Sequence, residues 1–257
     1  MAEQSYDAPR AAAALRWLAE AGVDTILEEA PTDWSAQPAP APKAIKQTTP
    51  STMPAATSSA ASSLAQADEA EKIAAKCTTL GELRQAMNDF EGCALKRTAQ
   101  QLVFADGPED AALMLIGEAP GRDEDLQGLP FVGAAGQLLN RILAASGTAR
   151  KAAYITNLVP WRPPGNRKPT PLEMQICLPF LKRHIALKAP KAIVLLGATP
   201  VSALFDTTDG ITRLRGRWRD YSTIPVMPTF HPAYLLRQPG HKRFVWQDML
   251  AVKEKLR

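Results

Sequence analysis

No stretch of eighteen apolar residues occurs in the chain, so the sequence offers no membrane-spanning helix, and no membrane partner is expected. Cysteine is scarce. Cys77, Cys93 and Cys177 are odd in number and far apart, which argues against a disulfide framework and for reduced thiols. His231 has no second His or Cys at ligand spacing, so there is no zinc motif. Neither G-x-x-x-x-G-K-[ST] nor G-x-G-x-x-G is present, which removes the two common phosphate loops. The first twenty residues carry charges throughout and lack an apolar signal core, so a cytoplasmic location is expected.

What is present is unevenly distributed. Residues 1–66 hold 4 basic and 7 acidic residues, whereas from 126 onward 20 basic face 6 acidic. A basic C-terminal half fits either a solvated basic surface or a polyanionic partner. Residues 9–21 have helical spacing of Ala13, Leu15, Leu18 and Ala21. The segment 35–66 is Ala, Pro, Ser and Thr with almost no aliphatic bulk, and reads as a disordered linker. Three regions follow: an N-terminal helical segment 1–34, the linker 35–66, and a globular domain 67–257. The N-terminal helix is a candidate docking element for another protein.

From 67 the pattern is globular. A helix is expected over Ala67–Met87. Short apolar runs at Leu113–Ile116, Ala153–Thr156, Ala192–Leu196 and Pro225–Phe230 read as strands. Helical patterns at about 134–146, 170–187, 198–206 and 241–256 separate or follow them. Thr170 suits the N-cap of the second and Pro171 its first position. This alternation argues for a three-layer α/β/α fold around a four-stranded, mainly parallel sheet. Ligands of such sheets bind beyond the carboxyl ends of the strands. Each run here ends in an unusual loop: GEAPG, NLVPWRPPGNR, GATP or FHPAYLLR.

The loop GEAPGRDEDLQGLPFVGAAGQLL, residues 117–139, is rich in glycine and carries four carboxylates, which would repel a phosphate. Glu118, Asp123, Glu124 and Asp125 could instead take a hard cation or stay solvated. Phe131 stands on this loop between Pro130 and Gly133, Asn157 ends the second apolar run and can donate and accept at once, and His231 follows the fourth run just before Pro232.

These motifs resemble the family 4 uracil-DNA glycosylases. Gly117–Gly121, Glu124-Asp125, Gly128–Gly133 and Gly136–Leu139 match the first motif. Ile155–Asn157 with Arg162–Arg167 and Pro169–Pro171 match the middle segment, and His231–Arg237 the second motif. The resemblance covers about residues 89–256. It implies a bacterial DNA-repair enzyme that flips uracil from double- or single-stranded DNA and hydrolyses its glycosidic bond. It also implies the uracil-DNA glycosylase fold, a monomer, and nucleoid association when on DNA. Gly117, Ala119, Phe131 and Asn157 would bind the base, Phe131 by stacking and Asn157 by donating to uracil O4 and accepting from N3–H, a pattern that cytosine reverses. Glu124 would address water or the sugar cation, Glu118 would shape the loop and contact the base, and His231 would stabilise the leaving group. Leu235 would be the wedge entering the base stack, with Leu236 beside it. Arg162, Arg167, Arg237, Lys242 and Arg243 would meet phosphates.

Two departures stand out. Stronger uracil glycosylases keep an aspartate where this chain has Ala119. Family 4 members also hold a 4Fe–4S cluster on four cysteines. Here Phe90 and Trp161 occupy two of those positions, leaving Cys93 and Cys177. The expectation is no cofactor, with Phe90 and Trp161 filling the cluster's volume. No lyase lysine is suggested, so a monofunctional enzyme is expected. The alternatives are a non-catalytic damage-binding protein and a nucleotide- or RNA-processing protein.

Overall fold

The structure, a computed structural model, describes residues 56–257, with side chains from residue 65. The expected helix at 9–21 and the linker up to residue 55 lie outside the described residues. Five strands form one sheet in the order β2-β1-β3-β5-β4: β1 (Leu113–Gly117), β2 (Ala153–Asn157), β3 (Ala192–Leu196), β4 (Arg219–Tyr221) and β5 (Ile224–Thr229). All pair in parallel except β4, which pairs antiparallel with β5. The four expected strands are present. The fifth corrects the expected count: β4 is a polar, partly exposed edge of three residues, with no apolar run to announce it.

The strands β1, β2 and β3 are apolar along nearly their whole length because both faces of the sheet are covered. Met114, Ile116, Tyr154, Ile193 and Leu195 face one core layer. Leu113, Leu115, Ile155, Val194 and Leu196 face the other. The first layer is closed by α1 (Ala56–Lys76), α2 (Leu80–Asp89) and the helix that enters β3, and the second by helices that follow β1 and β5. Among the described residues no helix is long and apolar enough to cross a membrane.

Two boundaries near the start are corrected. Helix α1 begins at Ala56, inside the segment 35–66 read as linker. Alanine is the strongest helix former, and the buried small residues Ala70 and Ala74 fit α1 against the core. The single helix expected over Ala67–Met87 is two. The Thr79 hydroxyl accepts the Glu82 N–H at 3.1 Å and so caps a fresh start.

The remaining helices are α3 (Arg122–Gln127), α4 (Ala134–Ala145), α5 (Pro171–Lys188), α6 (Ala198–Phe205), α7 (Ile211–Leu214), α8 (Pro232–Arg237) and α9 (Lys242–Lys255). Thr170 caps α5 as expected. Its hydroxyl accepts from the Glu173 N–H at 3.2 Å, and the Glu173 carboxylate accepts the Thr170 N–H at 2.7 Å. The chain leaves β1 to build β2 on one side and β3 on the other. The switch in winding therefore lies between β1 and β3, where the carboxyl ends open a crevice.

Candidate active site

Gly117 ends β1, Asn157 ends β2, Gly197 follows β3 and His231 follows β5, so four strand ends converge. They frame a cleft of about 200 Å³ lined by Glu118, Ala119, Glu124, Phe131, Asn157 and His231, with Arg167 at its rim. The base-pocket residues expected from the sequence are thus brought together.

Gly117 makes room for two of them. A Cβ there would lie 2.4 Å from Asn157 Oδ1 and 2.6 Å from Phe131 Cζ. Asn157 is buried, and its Oδ1 is a buried polar atom with no hydrogen-bond partner among the described residues. An orphan acceptor in a protein interior is costly unless a ligand completes it. Phe131 is buried with its ring tilted 35° to that of His231, centroids 5.6 Å apart.

His231 caps α8. Its Nδ1 accepts the Ala233 N–H at 3.1 Å, which leaves the proton of a neutral ring on Nε2. Desolvation pushes its pKa down to about 4, and the nearby Arg237 charge adds to the effect. The ring is half-buried, with one edge open to the cleft, so the shift reflects enclosure by the cleft rather than full removal from water. The site therefore holds a neutral imidazole with a free N–H donor.

The two glutamates, both lining the cleft, differ in their hydrogen-bond partners. Both Glu124 oxygens are taken by the backbone: Oε1 accepts Val132 and Gly133 N–H at 2.9 Å each, and Oε2 accepts Gly121 N–H at 3.1 Å. Glu124 is a clamp that closes the loop onto the start of α3. Glu118 makes one side-chain bond, accepting the Thr199 hydroxyl on Oε2 at 2.5 Å, and lines the cleft. Asp125 is buried and accepts Gln100 N–H at 2.8 Å. Among the described residues no three His, Cys, Asp or Glu side chains are grouped to hold a metal ion.

Leu235 is corrected as the wedge. The segment HPAYLLR is helical from Pro232 rather than looped, and Leu235 faces inward with no exposure, in the core layer that holds Leu138 and Leu139 of α4. Leu236, one residue on and so about 100° round the helix, is 45% exposed. Arg237, Lys242 and Arg243, all after β5's carboxyl end, are exposed. Arg167 and Arg162 are less free than expected. Arg167 binds Glu173 in a fork at 2.8 and 2.6 Å, and Arg162 donates to Asn166 at 2.7 Å and lies 3.9 Å from Asp125. The hydrogen bonds from Arg167, helped by those from Thr170, hold the Glu173 carboxyl below its ordinary range.

A four-cysteine cluster does not fit the described residues. Phe90, Cys93, Trp161 and Cys177 are all buried in one apolar layer. The Phe90 ring meets Phe180 edge-on at 5.1 Å. The interaction of Cys93 with Cys177 raises the Cys177 thiol and lowers Cys93. The third thiol, Cys77, points to its own helix, donating to the Ile73 carbonyl at 3.4 Å. Two thiols cannot replace four ligands.

A sheet whose carboxyl ends enclose a stacking ring, an unpaired amide oxygen and a neutral imidazole N–H defines a protein that takes a flat, hydrogen-bonding base. The model of the uracil DNA glycosylase superfamily matches residues 104–250, and the chain belongs to that family. It is 42% identical to the type-4 uracil-DNA glycosylase of Thermotoga maritima over 165 residues, 63% of this chain and 86% of the relative. It is 41% identical to that of Archaeoglobus fulgidus over 186 residues, 68% of this chain and 92% of the relative. The type-4 enzyme of Saccharolobus solfataricus is 40% identical over 173 residues. These relatives support the family 4 assignment made from the motifs.

Proposed function

We propose that the chain extrudes uracil from DNA and hydrolyses its N-glycosidic bond, leaving an abasic site. The carrying observation is the unpaired Asn157 Oδ1 in the same cleft as the His231 N–H. Uracil N3–H completes the acceptor, and the Asn157 amide N–H meets O4. Phe131 stacks on the ring. As the bond to the sugar breaks, charge gathers on the base, and a neutral His231 N–H directed at O2 stabilises it without a proton transfer. Glu118 orients the attacking water and offsets the positive charge on the sugar. No lysine lines the cleft among the described residues, which supports hydrolysis rather than a lyase step.

The test is release of uracil from an oligonucleotide, followed by alkaline cleavage at the abasic site. Retained binding without cleavage would favour the damage-binding alternative, for which Ala119 and the missing cluster cysteines are the motives. Asn157→Asp sharpens the assignment. A carboxylate cannot donate to O4, so uracil release should fall by at least about tenfold while cytosine gains ground, read as the ratio of kcat/KM for the two bases. Equal loss on both would sink the role given to Asn157.

We also propose that the chain works without an iron–sulfur cluster, its place filled by Phe90 and Trp161. The expected result is full glycosylase activity with no bound iron and no absorbance near roughly 400 nm. Stoichiometric iron in anaerobically purified protein would overturn this.

A further inference from the structure

Arg150 lies outside every motif named above, at the start of the short turn Arg150–Ala152 that leads into β2. A guanidinium has five N–H donors, and here each finds an acceptor. Nε and one Nη2 N–H donate to Asp106 Oδ2 at 2.9 and 2.7 Å. The other Nη2 N–H donates to the Pro130 carbonyl at 2.7 Å. Nη1 donates to the Phe131 carbonyl and to Asn140 Oδ1, both at 2.9 Å. All five donors are spent inside the protein, so none remains for a phosphate. That separates Arg150 from the exposed cations of the DNA-facing side.

The two carbonyls it grips belong to the residue that stacks on the base and to its neighbour. Phe131 has φ of 55°, in the left-handed region that a bulky residue avoids unless its surroundings impose it. Gly136 closes on the same point: a Cβ there would lie 1.8 Å from the Phe131 carbonyl oxygen. Glu124 holds the next two amides, of Val132 and Gly133. The carbonyl side of the turn thus hangs on Arg150 and the amide side on Glu124.

We propose that Arg150, anchored by Asp106, is a positioning residue that imposes the left-handed turn at Phe131 and so sets the ring at the angle where it stacks on the extruded base. The role rests on the glycosylase reading. Without Arg150 the Pro130 and Phe131 carbonyls lose their shared partner, the turn relaxes toward negative φ, and the ring leaves its place beside Gly117 and His231.

A cycle of Arg150→Ala, Phe131→Leu and the double variant tests this by single-turnover uracil release. Arg150→Ala should slow the chemical step by about ten- to a hundredfold, with KM for DNA changed less than about threefold, because misplacement costs the chemistry while phosphate contacts persist. In the Phe131→Leu background the same change should cost no more than about twofold, since its effect passes through the missing ring. Multiplying losses would overturn the proposal. Should Arg150→Ala fail to fold, Asp106→Asn, which removes only the anchor, carries the same cycle. If the wild type releases no uracil, the glycosylase reading fails by itself. Arg150 is then judged by hydrogen exchange at the Val132 and Gly133 amides: faster exchange in Arg150→Lys supports the clamp, and unchanged exchange overturns it.

Discussion

Replacing His231 by alanine should slow uracil release by about a hundred- to a thousandfold, the usual loss for one oxyanion-type donor, while leaving DNA affinity nearly intact. The reasoning is differential. The N–H faces little charge in bound substrate and much more when the glycosidic electrons collapse onto the base, so its removal lowers kcat rather than raising KM. The pH profile is equally specific. With a pKa near 4, held down by desolvation and then by Arg237, the imidazole is neutral across the neutral range, and no His231 limb should appear between about pH 6 and 8. Protonation below about pH 4 would put a proton on Nδ1 and break the cap on the Ala233 N–H, so activity should fall there. The sign for stability runs the same way. The unfolded chain takes up this proton at about pH 6.5 and the folded chain only near pH 4, so falling pH through that window favours unfolding. A rate limb at pH 6–7 that disappears in His231→Ala would show a working imidazolium and overturn the neutral-donor mechanism.

The sheet was legible because buried parallel strands are apolar throughout, and their ends are marked where the runs give way to Gly, Asn and His. The loops at those ends then place Gly117, Asn157 and His231 together by topology alone. Side-chain roles were less legible where a hydrogen-bond partner decides them. Glu118 and Glu124 are alike in sequence, and only the three backbone amides on Glu124 identify it as the clamp. Arg162 and Arg167 read as free cations until Asp125 and Glu173 are seen beside them. Arg150 carried no signal, because its acceptors stand 10, 19, 20 and 44 residues away. A polar edge such as β4, with its three residues, offers no period to detect.

The largest stability effect is expected from the leucine first taken as the wedge. Leu235→Ala should destabilise the protein by about 2–5 kcal/mol, since a fully buried leucine leaves a cavity its neighbours cannot close. For a domain of this size each kcal/mol lowers Tm by roughly 2–4 °C, so the change is easily read by thermal unfolding. Leu236→Ala should shift stability by no more than about 0.5 kcal/mol, because its side chain is largely in solvent. Its cost should fall on function and only on one substrate. A wedge holds open the gap left by an extruded nucleotide, so Leu236→Ala should slow release from duplex DNA and spare single strands, where there is no stack to refill. The two neighbours thus separate cleanly: position 235 moves Tm with either DNA handled alike by whatever remains folded, and position 236 moves the duplex-to-single-strand ratio at constant Tm. Should Leu236→Ala leave that ratio unchanged, the helix Pro232–Arg237 is not the wedge, and the extruded state must be held by Phe131 and the backbone loops alone.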